Sequence, residues 1–176
     1  MNRREVIQRV GLMLGGIMSA PLMAGAMGEV LNTGPSVAAT ADQAALIAEV
    51  ADIIIPTTDT PGAKAAGAEK FIVRVMRDCY EKADQDKFYA GLDKLNEDSK
   101  AKFGKEFMAL SLVEKNEMID DASVYNKAFF KQIKDLTITA YFTSEIGATQ
   151  ALAYDPIPGR FDGCSPMTKD QKTWAL

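Results

Sequence analysis

Apolar residues recur every three or four positions along most of the chain, and nowhere do they alternate singly for long enough to make a strand. That period admits helices and little else, because a strand sends successive side chains to opposite faces while a helix returns to one face after about 3.6 residues. The punctuation agrees with the period. Thr40 opens the first helix, with Gln43 completing a capping box, and Leu46, Val50, Ile53 and Ile54 form its stripe before Pro56 stops it. Residues 56–62 hold two prolines, a glycine, three threonines and an aspartate, a dense turn signal that marks a shaped loop.

The spacing predicts a second helix over about residues 66–80, with Ile72, Val75, Met76 and Cys79 on one face. A third follows over 83–100, carrying Phe88, Leu92 and Leu95. Residues 103–110 suit a short helix or turn. Ser111 and Glu114 make another capping box and open a helix through Ile119. The longest helix is expected over 127–146, with Phe130, Ile133, Leu136, Thr137, Ala140 and Tyr141 buried. A short helix could reach Leu152. Beyond it, prolines at 156, 158 and 166 and glycines at 159 and 163 forbid regular structure, yet Tyr154, Ile157, Phe161 and Cys164 are too apolar for a solvated tail. The expected fold class is therefore all-α: an irregular bundle of about five or six helices with an extended, Pro/Gly-containing C-terminal segment lying on a surface.

The start of the chain follows a different logic. Arg3 and Arg4 precede an apolar, glycine-rich run from position 10 to 18, and Ala24-Gly25-Ala26 offers the small-residue pattern of a cleavage site. Adjacent arginines ahead of such a run mark the twin-arginine type of signal, which carries proteins already folded. The run is shorter than the roughly 20 residues a membrane span requires, and Gly15, Gly16 and Pro21 weaken it further. We expect a twin-arginine-type signal peptide over 1–26, a flexible tether over 27–39 and a helical domain over 40–176, with export to the periplasm through the twin-arginine translocase.

Composition then narrows function. The chain has no histidine. That removes hydrolase triads built on imidazole, most zinc sites and haem with a histidine ligand, and leaves carboxylates or lysines as the chemistry available to an enzyme. Asp59 or Asp155 in a cleft would be the place to look. A net charge of −4, from 20 basic and 24 acidic side chains, speaks against nucleic acid as a partner. No glycine-rich phosphate loop is present, and the acidic pairs lack the spacing of a calcium loop. No catalytic, cofactor-binding or metal-binding residue is expected. Two cysteines in an exported chain suggest a disulfide between Cys79 and Cys164, worth on the order of 4 kcal/mol, with two buried thiols as the alternative. Tyr141 and Ser144 fall on one helical face, either as the polar edge of a buried stripe or as partner contacts. Trp174, near the end, suits peptide docking or a frayed terminus equally.

Three stretches carry a resemblance: residues 52–63, DIIIPTTDTPGA; residues 141–147, YFTSEIG; and residues 154–164, YDPIPGRFDGC. In this order, behind an arginine-led signal, they resemble the gluconate 2-dehydrogenase subunit 3 family. The resemblance implies a small or gamma subunit that pairs with a large, FAD-binding flavoprotein of the glucose-methanol-choline type, which oxidises a sugar, sugar acid or polyol. A cytochrome c subunit often completes such complexes. The small subunit would support maturation of the flavoprotein and travel abroad with it, while carrying no catalytic residue. The residues expected to meet the partner are Pro56, Pro61, Tyr141, Ser144, Tyr154, Pro156, Pro158, Gly159 and Phe161. The competing reading is a free-standing periplasmic binding or scaffold protein.

Overall fold

A computed structural model of the chain describes residues 39–157, 159, 164, 166 and 169–175, which belong to a single compact unit. The signal arginines Arg3 and Arg4, the tether, and interface candidates Pro158 and Phe161 lie outside the described residues. Five α-helices make the architecture: α1 Ala41–Ile54, α2 Ala68–Cys79, α3 Lys82–Phe103, α4 Leu112–Tyr125 and α5 Lys127–Phe142. A 3-10 turn, Phe107–Ala109, links α3 to α4, and a π turn, Gly147–Ala151, follows α5. The described residues form no strand; one parallel bridge pairs Ala153 with Trp174.

Both expected capping boxes are formed. Thr40 Oγ1 accepts from the Gln43 amide at 3.1 Å, and the Gln43 side chain accepts from the Thr40 amide at 3.1 Å. At α4 the Ser111 amide and hydroxyl both donate to Glu114 Oε2 at 2.7 Å, and those bonds hold the Glu114 carboxyl below its ordinary range. Gly67 and Gly104 adopt left-handed φ of 70°, the first where the chain enters α2 and the second where α3 ends. A residue with a Cβ fits that conformation poorly, so these two glycines set where the helices begin and stop.

Ile47 and Val50 of α1, Ile72 and Met76 of α2, Phe88 and Leu92 of α3, and Ile133 of α5 meet at the centre, and Phe107 of the 3-10 turn plugs one side. Fully burying each such side chain contributes about 1.5–3 kcal/mol. A close approach is at Gly91, where a Cβ would lie 2.4 Å from the Phe129 ring, so the absent side chain admits an aromatic. Phe129, rather than the expected Phe130, is the buried member of that pair. An ion network ties α1 to α4 and to the start of α2's approach. Glu49 accepts from Lys115 Nζ at 2.6 Å and from Lys64 Nζ at 2.9 Å, and these two bonds, the first foremost, hold its carboxyl below the usual range. Lys115 is itself buried, so its ammonium needs that partner.

Three boundaries differ from the sequence-based expectation. The longest helix is α3, at 22 residues, not the last one. α4 continues past Ile119 to Tyr125. α5 stops at Phe142 rather than at Ile146, because Ser144 breaks it: its hydroxyl donates to the Tyr141 carbonyl at 2.6 Å and accepts from the Gly147 amide at 3.0 Å. Ser144 thus closes one helix and caps the turn after it.

The expected disulfide is not formed. Cys79 and Cys164 are both exposed and no bond joins them. Cys79 is the last residue of α2, and the chain turns extended at Tyr80, so the thiol leaves the stripe that Ile72 and Met76 bury.

Candidate partner interface

The loop over residues 56–62 is built from both ends. The Ala63 amide donates to the Ile55 carbonyl at 2.9 Å, which closes the loop at its neck. Inside it the Thr58 amide donates to the Thr60 carbonyl at 3.0 Å, and the Gly62 amide to Thr57 Oγ1 at 2.9 Å. Gly62 has no room for a side chain: a Cβ there would lie 2.7 Å from the Thr57 amide nitrogen and 2.8 Å from the Ile55 carbonyl oxygen.

Helix α5 then clasps this loop from outside. The Tyr141 hydroxyl donates to the Pro61 carbonyl at 2.9 Å and lies 3.1 Å from Thr60 Oγ1. A phenol has one proton. Since a carbonyl can only accept, the Tyr141 proton goes to Pro61 and the Thr60 hydroxyl donates to the phenol oxygen. One buried side chain therefore satisfies two groups of a loop some 80 residues away in sequence. Behind it, Gly147 packs on the same turn of α5; a Cβ there would lie 1.9 Å from the Tyr141 carbonyl oxygen.

The first two motif stretches are thus a single structural unit, and this revises the expected roles of their residues. Tyr141, 2% exposed, and Ser144, partly buried, work inside the molecule and are not outward contacts as they stand. Pro61 is half-buried under the phenol. What the loop presents to solvent is Pro56, Thr57, Thr58 and Asp59. Asp59 forms no ion pair among the described residues.

The third stretch behaves differently. The interface candidates Tyr154, Pro156 and Gly159 are exposed, and so is Ile157 between them. Among the described residues the Ile157 amide donates to Asp155 Oδ1 at 3.1 Å, while Ala153 donates to Thr173 at 2.8 Å and accepts from Ala175 at 2.9 Å. Those last two bonds make the bridge that gives Trp174 an ordered place on the surface, half-exposed rather than frayed.

Sequence reasoning missed a further apolar surface. Leu112 and Val113 at the start of α4 are 67% and 76% exposed, with Met108 close by in sequence, and Val124 and Tyr125 stand out at the other end of the helix. A shared helix explains the miss: α4 is apolar on its buried face through Met118, Ile119 and Ala122, and the period that reveals that face says nothing about extra apolar residues opposite it. An open cleft of about 470 Å3 between α3 and α4 has Leu95, Met118 and Phe129 on its floor and Lys102 and Asp121 bonded across its rim at 2.6 Å.

No group of three or more acidic or cysteine side chains gathers among the described residues as a metal site would require, and no helix among them is long and apolar enough to cross a membrane. Tyr89 is the one buried phenol with no bonding partner among the described residues, and burial pushes it above its ordinary pKa.

The family model of gluconate 2-dehydrogenase subunit 3 matches residues 41–159, a span that contains all five helices, the clasped loop and the exposed segment as far as Gly159. The chain belongs to the gluconate 2-dehydrogenase subunit 3 family. No curated protein and no solved structure matches it. Membership of the subunit 3 family makes the chain an accessory subunit of a dehydrogenase complex, so its surface has other subunits to meet. The two subunit 3 stretches that lie in the described residues and reach solvent, the loop tip and the segment after Ala153, are the natural places to look for that meeting.

Proposed function

We propose that this subunit is the non-catalytic small subunit of a periplasmic, FAD-dependent sugar or polyol dehydrogenase complex. In this reading it binds a large flavoprotein of the glucose-methanol-choline type, supports that protein's maturation and stability, and accompanies it through the twin-arginine translocase. FAD sits in the partner, and a cytochrome c subunit can complete the assembly. The observation that carries the reading is the match to subunit 3 over residues 41–159. Two features of the chain support it. The absence of histidine leaves it without the commonest acid-base and metal-binding side chain. Its loop over residues 56–62 is shaped from within, as preformed docking surfaces are.

The test is co-purification. Affinity-tagged full-length chain, expressed with its genomic neighbours, should recover a FAD-containing subunit, and replacing Arg3 and Arg4 with lysine should trap both proteins in the cytoplasm. Recovery of the tagged chain alone, monomeric and without a flavin spectrum, would overturn the proposal. Unchanged export of the flavoprotein in the double lysine variant would remove the export role and leave the binding role intact.

A further inference from the structure

We infer that Tyr141 is a positioning residue for docking: its hydroxyl is the latch that holds the loop over residues 56–62 in the one shape a partner subunit receives. This rests on the reading that the loop tip meets the flavoprotein subunit. The argument begins with a contrast inside one dipeptide. Tyr141 and Phe142 are neighbours on α5, with rings 5.1 Å apart, yet the phenol is buried and the phenyl is 39% exposed. Burying a phenol costs free energy unless its hydroxyl is bonded. Tyr141 has both of its hydroxyl's roles filled by the loop, giving its proton to Pro61 and receiving one from Thr60.

Core packing alone does not call for that oxygen. A phenylalanine would fill the same volume, and the helix's own backbone makes no use of the hydroxyl. The bonded partners are the two residues just before Gly62, the position where the loop turns back into Ala63. Fixing them fixes the direction in which Pro56, Thr57, Thr58 and Asp59 leave the surface. A loop held in its bound shape before binding loses less conformational freedom on association, so the latch acts through affinity. The tip it presents is exposed, hydroxyl-bearing and, at Asp59, anionic, which suits a surface on the partner lined with hydrogen-bond donors.

The experiment compares Tyr141→Phe with Thr137→Val in the full chain co-expressed with its flavoprotein. Thr137 is a buried hydroxyl on the same helix that donates to its own Ile133 carbonyl at 2.7 Å and has no bond to the loop. Amide hydrogen exchange is read at Thr58, Gly62 and Ala63, and partner affinity by titration. Tyr141→Phe should speed exchange at those amides about tenfold and weaken partner binding several-fold, the scale expected for one or two lost hydrogen bonds, while Thr137→Val does neither. Unchanged exchange in Tyr141→Phe overturns the latch whatever the partner does. Faster exchange with undiminished affinity overturns its docking role, while the family's complex stands. Failure of the wild-type chain to bind any flavoprotein is the separate failure of the proposed function, and the exchange rates still decide the latch.

Discussion

The loop over residues 56–62 and the segment after Ala153 are both built on proline, glycine and aspartate, and they fold by different means. The loop is locked: its neck is closed by backbone, its centre by Thr57, and its outer wall by a phenol from a distant helix. The segment lies open, and two backbone bonds to Thr173 and Ala175 account for its bridge. The difference lies in what faces them. Where a polar group on a packed helix reaches irregular backbone, the backbone's donors and acceptors are satisfied inside the protein and its shape becomes fixed. At Tyr154, Pro156 and Ile157 the side chains are exposed instead. Under the proposed function, the loop would offer a partner a preformed surface and the described part of the segment an exposed one.

The largest expected effect separates the two by a single methyl group. Gly62→Ala sets a Cβ against two backbone atoms inside 3 Å, and backbone cannot step aside as a side-chain tip can. It should cost about 3 kcal/mol of unfolding free energy, at the upper end for overpacking. Gly159→Ala meets open space and should stay within about 0.5 kcal/mol of wild type. Urea unfolding of both variants measures the pair. Equal costs would erase the distinction between locked and open.

Next comes the charge that anchors the loop's flanks. Glu49 on α1 and Lys64 just beyond the loop are bonded at 2.9 Å, and Lys115 completes the network from α4. Glu49→Gln should cost about 2 kcal/mol at neutral pH, the scale of a charged hydrogen bond. The pH dependence has a definite sign. Glu49 is held below its ordinary value of 4.5 in the folded chain. On acidification the unfolded chain therefore takes up the proton first. The contribution is complete above about pH 5 and fades as the pH falls through 4.5 and below. Thermal unfolding of wild type and Glu49→Gln should thus converge at low pH. A gap that persists undiminished to about pH 3 would mean that packing, and not charge, makes the connection.

Much of this was legible in the residues, and the parts that were not share a cause. Thr40 with Gln43, and Ser111 with Glu114, announce helix starts because a capping box needs only neighbours in sequence. Pro56 stops α1 for an equally local reason. The period over 127–142 gave α5 but could not choose between Phe129 and Phe130, since either fits the stripe and the choice depends on Gly91 across the core. Ser144 followed by Gly147 carries a helix-start spacing that the apolar run through Ile146 concealed. Tyr141 was rightly placed in the buried stripe, but what its hydroxyl bonds to depended on a loop 80 residues earlier, and no local pattern encodes that. The cysteine pairing is likewise not legible, because compartment chemistry says that a bond is permitted and says nothing of whether the two thiols meet.

The smallest effect on stability is expected where the effect on assembly should be clearest. Tyr154 and Ile157 are 58% and 82% exposed, so replacing both with serine removes little buried area, and unfolding should shift by no more than about 0.5 kcal/mol. Exposed aromatic and aliphatic side chains on a segment with few internal bonds are, however, the kind that carry binding when a partner covers them. Recovery of the flavoprotein on the tagged double variant should fall about tenfold, with the helical content by circular dichroism unchanged. If the double serine variant binds as wild type does, the open segment is no part of the docking surface, and recognition falls to the preformed loop and the apolar start of α4. If it loses binding while Tyr141→Phe keeps it, the order is reversed: the adaptable surface carries the affinity and the rigid one serves the fold.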